Sequence, residues 1–144
     1  MTDAQTLDAQ APAASPPPVG GVVPYLTPSN ANAAADFYVE AFGAQDLFRH
    51  PADDQGRTMH IHLLINGNSV MLGDAYPEHG YPAQTPAGFT LHQQVDDVDA
   101  AFERAVAAGA EVVLPVQLMF WGDRYGQLKD PFGFLWSLAT TPKA

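Results

Sequence analysis

Cysteine is absent from this chain of 144 residues, and basic residues are scarce, with six Lys and Arg in all. The lack of cysteine excludes disulfides, thiolate zinc sites and cysteine nucleophiles, and it removes the usual mark of small secreted domains. We therefore expect a cytoplasmic protein. Sixteen Asp and Glu residues bring the formal net charge to −10, which would repel polyanions. Because the few arginines are also scattered, we expect no nucleic-acid partner.

Long apolar runs are missing as well. No stretch approaches the ~20 residues that cross a bilayer, and the first ten residues lack the basic and apolar regions of a signal peptide, so no membrane partner is expected. The hydrophobic content of 47% is nevertheless enough for a core, and the length suits one domain. Residues 1–20 are rich in proline, with Pro12, Pro16, Pro17 and Pro18, and are predicted to form a disordered leader before a single domain at 21–144.

The first half of this domain has the pattern of a strand, a helix and three further strands. Ser29 or Asn30 is expected to cap the helix at its start, and Gly43 to end it. The Asn66-Gly67 pair between apolar runs predicts a hairpin turn. The predicted strands are residues 22–26, 46–49, 58–65 and 69–73, and the predicted helix is residues 33–42.

The second half repeats this order. Strands are predicted at 89–95 and 111–114, and a helix from Asp96 or Asp97 as cap to Gly109, so that Asp96, Asp97 and Asp99 are interpreted as capping residues. The pairs Gly43-Ala44 and Gly109-Ala110 match at an offset of 66 residues (109 minus 43), as do Met71 and Ser137 (137 minus 71). Such matches argue for an internal duplication. The sequence predicts an α+β fold of two β-α-β-β-β modules, about 22–75 and 88–141, whose curved mixed sheets form a cleft.

Several short sequence words carry a resemblance to a known family. They are Pro24-Tyr25-Leu26, Asp36-Phe37-Tyr38, Val95-Asp96-Asp97 and a run from Met119 that continues through Asp130-Pro131-Phe132-Gly133 to Trp136-Ser137-Leu138. Together with the duplication, these words resemble the vicinal oxygen chelate superfamily of glyoxalases, bleomycin-resistance proteins and extradiol dioxygenases. Within it, the chain is similar to the PhnB-like branch, also called 3-demethylubiquinone methyltransferase-like. The resemblance covers about residues 22–141 and implies the glyoxalase/bleomycin-resistance fold.

The resemblance also implies where a metal ion would be bound. Metal-dependent members place His, Gln or Glu at two inward positions of each module, and three or four such ligands hold one divalent ion. Here those positions fall on Val23, Met71, Thr90 and Ser137. None of the four is a good ligand, and a slip of one or two residues would bring in only Tyr25 and His92. No cofactor is therefore predicted at the family's usual site.

A metal site formed by three histidines at other positions is an alternative. Alternation along 58–65 turns His60 and His62 towards the cleft, and places Met59, Ile61, Leu63 and Ile65 under the helices. His92 shares the cleft orientation in the second module, so the three rings could hold a divalent ion such as Zn, Ni, Fe or Mn. Alternatively they are neutral hydrogen-bonding or exposed groups, or His62 or His92 acts as a general base.

The run from Phe120 to Tyr125 is the densest group of potential contact residues. Core packing of Phe120 and Trp121 is one interpretation. The other is a pocket wall with aromatic faces for a flat ligand, in which Arg124 anchors a carboxylate or phosphonate and Asp123 orients it. Asp123 and Arg124 as an ordinary surface pair is a further possibility. The connection from residue 73 to 88 is either a lid or a simple linker between the modules.

These observations favour a protein that binds a small organic molecule without the family's usual metal ion. A metal-dependent lyase, isomerase or dioxygenase with a relocated histidine site is the first alternative, and a dimeric scaffold without ligand is the second. Because superfamily members commonly pair modules between chains, a homodimer is expected. The predicted cleft residues are Tyr25, His60, His62, Met71, Thr90, His92, Trp121, Arg124, Tyr125 and Ser137.

Overall fold

The computed structural model describes residues 14–143, which form eight strands, two α-helices and one 3₁₀ turn. In chain order they are β1 (Tyr25–Leu26), α1 (Ala31–Phe42), β2 (Gln45–Arg49), β3 (Ile61–Ile65), β4 (Asn68–Leu72), the 3₁₀ turn (Pro77–His79), β5 (Leu91–Gln94), α2 (Val98–Ala108), β6 (Glu111–Leu118), β7 (Arg124–Lys129) and β8 (Leu135–Thr140). Within these residues neither helix is long and apolar enough to cross a membrane.

The strands form two four-stranded sheets of the same topology. Sheet 1 has the order β1-β4-β3-β2, and sheet 2 has the order β5-β8-β7-β6. In each sheet the first strand of the module runs parallel to the last, and the other neighbours are antiparallel. Tyr25 lies opposite Met71, and His92 lies opposite Ser137. The predicted α+β fold with two β-α-β-β-β modules is therefore confirmed.

The helix boundaries follow the local sequence chemistry. The Asn30 side chain accepts a hydrogen bond from the Ala33 amide at 3.0 Å, and Asp97 accepts one from the Ala100 amide at 3.1 Å. Each cap satisfies one of the amides that a helix start leaves free. Helix α1 ends at Gly43, whose φ of 68° is in the left-handed region that glycine adopts without strain. The capping interpretation of Asp97 is thus confirmed.

The two modules share one hydrophobic core around the helices. The inner faces of both sheets pack on α1 and α2, so that each sheet also has an open face turned away from this core. Small residues let the helices approach one another and the sheets closely. The buried residues of the helices are Ala31, Ala34, Ala35, Tyr38 and Ala41 on α1, and Val98, Phe102 and Ala105 on α2.

Several strands differ in length from the prediction. Strand β1 begins at Tyr25 rather than at residue 22, because Pro24 has no amide hydrogen to extend the ladder and contributes only its carbonyl, to the Met71 amide at 2.9 Å. Strand β3 begins at Ile61, so Met59 is 56% exposed and does not lie under the helices as predicted. Strand β6 continues to Leu118 through a proline, which an edge strand with register shifts tolerates.

Candidate binding faces of the two sheets

The open face of sheet 1 carries both clustered histidines. Alternation along β3 is as predicted, with three residues in the core, Ile61, Leu63 and Ile65. His62 and Leu64 therefore point to the open face, where Met71 and Ser69 are their neighbours on β4. Tyr25 lies beside Met71 on β1. This face brings together the predicted cleft residues of the first module.

Part of the N-terminal segment covers this face. We call residues 14–19 the N-terminal strap. The Ser15 hydroxyl is 2.8 Å from His62 Nδ1 and 3.4 Å from His60 Nε2. The Val19 amide donates to the Ser69 hydroxyl at 2.7 Å, and the Ser69 amide donates to the Val19 carbonyl at 2.9 Å. The prediction of a disordered leader is therefore wrong for the strap, while residues 1–13 lie outside the described part of the chain.

The strap leaves His62 without a free ring nitrogen. Its Nδ1 is bonded to Ser15, its Nε2 is 2.7 Å from the Ser69 hydroxyl, and its side chain is fully buried. His60 is half-buried, and burial, followed by the nearby His62, lowers its pKa below the ordinary value for histidine. Both rings thus lie within hydrogen-bond distance of neighbouring hydroxyl groups.

The open face of sheet 2 is uncovered in the described chain and presents a different set of groups. His92 Nδ1 is 2.6 Å from the Ser137 hydroxyl, and Nε2 is 2.9 Å from Gln94 Oε1. The His92 ring stacks on Tyr125, with ring centroids 6.1 Å apart and an angle of 18° between the planes. Gln127 donates to the Tyr125 hydroxyl at 2.9 Å. Fixed rings with a few polar groups beside them make a face suited to a flat organic molecule.

Two further rings extend this surface. The Trp121 ring meets Tyr125 edge-on at 5.3 Å, and the Phe120 ring meets Trp121 edge-on at 4.8 Å. Phe120 is 96% exposed and Trp121 is 47% exposed, so the interpretation of these two residues as core packing is wrong. We call Phe120, Trp121, Tyr125 and His92 the ring ladder.

Arg124 does not belong to the ring ladder, contrary to prediction. Neighbouring strand residues alternate in direction, and Arg124 points to the helix side of sheet 2. There it donates two hydrogen bonds to Asp99 of α2, at 2.7 and 3.0 Å. This bidentate bond lowers the pKa of Asp99. Asp99, interpreted from the sequence as a capping residue, thus also links α2 to β7 through Arg124. Asp123 is not the partner of Arg124, since it accepts instead from the Trp121 indole at 3.2 Å.

The three histidines of the relocated metal site are not brought together. His60 and His62 have ring centroids 6.5 Å apart, but within residues 14–143 neither ring contacts His92. No group of three His, Cys, Asp or Glu side chains in the same range is placed to hold a metal ion. The three rings therefore do not converge within one chain, because they stand on the open faces of two different sheets.

The family's usual metal positions do not fit a metal ion either. In the observed register the paired strand positions are held by Tyr25, Met71, His92 and Ser137. Their donors are one phenol, one thioether, one imidazole and one hydroxyl, whereas a catalytic divalent ion needs about three good N or O ligands. Val23 and Thr90, the positions obtained by direct carry-over, both lie outside the strands.

Sequence reasoning missed the residues that enclose the histidines. Ser15 falls in the predicted disordered leader, and Ser69 is predicted by alternation to face the cleft but not to bond a histidine. One local signal was present in the glycine pair at 20–21. Gly20 has a φ of 106°, and a Cβ atom there would overlap the Asn68 side chain. A glycine that permits such a close approach marks a segment packed on the sheet.

Comparison with known proteins assigns the family. The sequence model of the Glyoxalase/Bleomycin resistance protein/Dioxygenase superfamily matches residues 22–138, and the chain belongs to this superfamily. The Mb0911c protein of Mycobacterium bovis is 47% identical over 121 residues, which cover 80% of this chain and 79% of that protein.

Solved structures agree with this assignment. The crystal structure of TioX from Micromonospora sp. ML1 has a TM-score of 0.68 and 32% identity, covering 85% of this chain and 99% of that one. The structure of the putative 3-demethylubiquinone-9 3-methyltransferase PhnB from Bacillus cereus has a TM-score of 0.66 at 21% identity. The match covers 85% of this chain and all of that one, and it shows a shared fold.

Proposed function

We propose that this protein binds a small, partly aromatic organic molecule on the open face of sheet 2, without a resident metal ion, as a bleomycin-resistance protein sequesters a drug. The ring ladder is the observation that carries the proposal. Its four rings form a continuous series from the fully exposed Phe120 to the hydrogen-bonded His92. Large exposed aromatic surface is costly in water, and contiguous patches of it usually mark a binding site.

The polar groups beside the ladder support recognition rather than catalysis. Both nitrogens of His92 are engaged, by Ser137 and by Gln94, which fixes the ring plane. The Tyr125 hydroxyl accepts from Gln127 and so keeps its own proton free to donate to a ligand oxygen. Flat rings with one or two fixed hydrogen bonds are the usual composition of a small-molecule site.

The tryptophan side chains give the proposal a direct test. Trp121 is 47% exposed on the ladder, whereas Trp136 is 2% exposed and donates to Asp130. Metal-free bleomycin, which carries a flat heteroaromatic group, is titrated into the protein while the two indole N–H signals are followed by NMR. The Trp121 signal is expected to shift and saturate, and the Trp136 signal to stay in place.

Two variants locate the binding site. Trp121→Leu removes the central ring and is expected to weaken binding at least tenfold, about 1.4 kcal/mol. Arg124→Ala is the matched control, because Arg124 lies in the same segment but is bonded to Asp99 on the helix side. Its affinity is expected to stay within twofold of wild type. Unchanged affinity of Trp121→Leu, or no saturable shift of the Trp121 signal, would contradict the proposal.

We also propose that the protein forms a homodimer. The open faces of both sheets are turned away from the shared core, so a cleft lined by both modules requires two copies of the chain. Apolar side chains on the edge strand β6 support association, with Val113 48% exposed and Leu118 67% exposed. Sedimentation at micromolar concentration is expected to give the dimer mass, and a monomer alone would contradict this proposal.

A further inference from the structure

A cavity of about 470 Å³ lies between the edge of sheet 1 and the connection that joins the modules. Its lining residues include Tyr25, Tyr76, Tyr81, Met59 and Asp74. This volume is within the range of sites that take small ligands. The cavity is in the first module, and the ring ladder is in the second, so the two surfaces can be tested separately.

The connection over this cavity is held in place. Tyr76 and Tyr81 exchange backbone hydrogen bonds of 2.7 and 3.0 Å, and a 3₁₀ turn ends at Gly80 between them. Arg57 ties the turn to the preceding segment with bonds to Glu78, at 2.7 and 3.2 Å, and to Asp53 at 2.9 Å. The walls are thus preformed, which reduces the cost of ordering them around a ligand.

Tyr25, another lining residue, is also fixed. Its hydroxyl donates to the Met59 carbonyl at 2.8 Å, which holds the ring in place. Gly73 makes this possible, because a Cβ atom there would lie 2.8 Å from the same carbonyl and 3.2 Å from the hydroxyl. A side chain at this position would overlap the carbonyl and crowd the ring. Burial raises the pKa of Tyr25, so this phenol is neutral at physiological pH.

The charge of the walls is negative. Asp74 accepts from two backbone amides, Ala31 at 2.9 Å and Thr58 at 2.7 Å, and within residues 14–143 it has no cationic partner. No Lys, Arg or His is among the described lining residues. The guanidinium nearest to the walls belongs to Arg57, which Asp53 and Glu78 already neutralise. A carboxylate beside electron-rich ring faces attracts a positive charge.

One wall ring already receives a cation. The Arg57 guanidinium carbon is 4.3 Å from the centre of the Tyr76 ring, within the distance of a cation–π contact. Aromatic rings together with a carboxylate that has no cationic partner are groups that attract quaternary and tertiary ammonium ions. We infer that the cavity bounded by Tyr25, Tyr76 and Tyr81 binds a small organic cation of the quaternary or tertiary ammonium class, with Asp74 as its counter-charge.

The test compares a cation with a neutral molecule of the same shape. Choline and 3,3-dimethyl-1-butanol differ in charge at one atom and are titrated separately at constant ionic strength. Amide chemical shifts are followed by NMR. Choline is expected to shift the amides of Gly73, Gly80 and Tyr81, and to bind at least tenfold more tightly than the alcohol. Equal binding of the two, no binding, or shifts elsewhere on the protein would overturn the inference.

Variants of Tyr81 separate the ring face from the hydroxyl. Because this side chain is 67% exposed, both substitutions should leave the fold intact, which unfolding midpoints will verify. Tyr81→Leu is expected to weaken choline binding about fivefold, and Tyr81→Phe to leave it within twofold, since cation–π attraction needs only the ring. Wild-type affinity in Tyr81→Leu would overturn the inference. Trp121→Leu serves as the control that disables the ring ladder alone.

Discussion

The hydroxyl of Tyr38 on α1 donates a 2.5 Å hydrogen bond to Asp130, which follows β7 in the other module. The same carboxylate accepts from the Trp136 indole at 2.9 Å and from the amides of Phe132 and Phe134 at 2.9 and 3.0 Å. Four donors therefore satisfy a charge that is only 4% exposed. The contact joins the two modules at the centre of the core.

Removing one donor from this carboxylate should destabilise the protein. Tyr38→Phe keeps the ring but leaves Asp130 with three donors, and loss of a hydrogen bond to a buried charge costs about 1–3 kcal/mol. Urea denaturation measures the change in the free energy of unfolding. Tyr81→Phe, at an exposed tyrosine, is the matched control and should change stability by less than about 0.5 kcal/mol. If the two variants are equally stable, the Asp130 contact does not hold the modules together.

The residues of this contact lie in the sequence motifs from which the fold was predicted. The words that contain Tyr38, Asp130 and Trp136 carry the resemblance to the family, and the structure assigns them to the core rather than to a site. Helix caps and terminal glycines depend on short-range chemistry, so Asn30 and Asp97 were also within reach of prediction. Short-range sequence signals were therefore sufficient to predict the order of the helices and strands and the internal duplication.

The candidate site was less accessible to such rules. Alternation correctly turned His62 to the open face of sheet 1, but it does not tell which way the two open faces point relative to one another. The prediction for Arg124 failed for a similar reason, since its partner Asp99 is 25 residues distant in sequence. Contacts at that separation depend on how elements pack, and a single sequence contains no direct record of them.

The N-terminal strap should protect His62 from chemical modification. Ser15→Ala removes the hydroxyl that bonds the ring, so the strap is expected to open more often and the ring to react faster. Reaction with diethyl pyrocarbonate, followed by peptide mass spectrometry, gives the rate at His62. Ser29→Ala, at an exposed serine, is the control. An unchanged rate at His62 in Ser15→Ala would show that this bond does not hold the strap.

Gln93 offers a prediction in the stabilising direction. Its side-chain nitrogen is buried on the inner side of sheet 2 and has no hydrogen-bond partner among the described residues. A buried unpaired donor costs about 1–3 kcal/mol, whereas leucine has a similar size and no such requirement. Gln93→Leu is therefore expected to raise the free energy of unfolding by about 1 kcal/mol. A lower stability of this variant in urea denaturation would indicate that the amide has a partner.

Stability should fall in mild acid because of His60. Burial, with His62 and His50 nearby, lowers the pKa of this residue in the folded chain below the ordinary value of about 6.5. The unfolded chain then binds the proton at a higher pH than the native one, so stability declines as the pH drops below about 6.5. His60→Gln should reduce this slope in urea unfolding at pH 5, 6 and 7. Equal slopes in the two proteins would mean that His60 is not perturbed by folding.

Binding of an organic molecule on the ring ladder is proposed to need no metal ion. Isothermal titration calorimetry with metal-free bleomycin tests this most directly, first with metal-stripped protein in excess EDTA, and then with protein that has been incubated with Zn, Ni, Fe(II) or Mn and desalted, because bleomycin itself chelates free divalent ions. Because the positions of Tyr25, Met71, His92 and Ser137 lack a suitable donor set, the dissociation constant is predicted to agree within twofold in all conditions. Binding that is absent in EDTA, restored by incubation of the protein with a metal ion and lost again in His92→Ala would contradict the account.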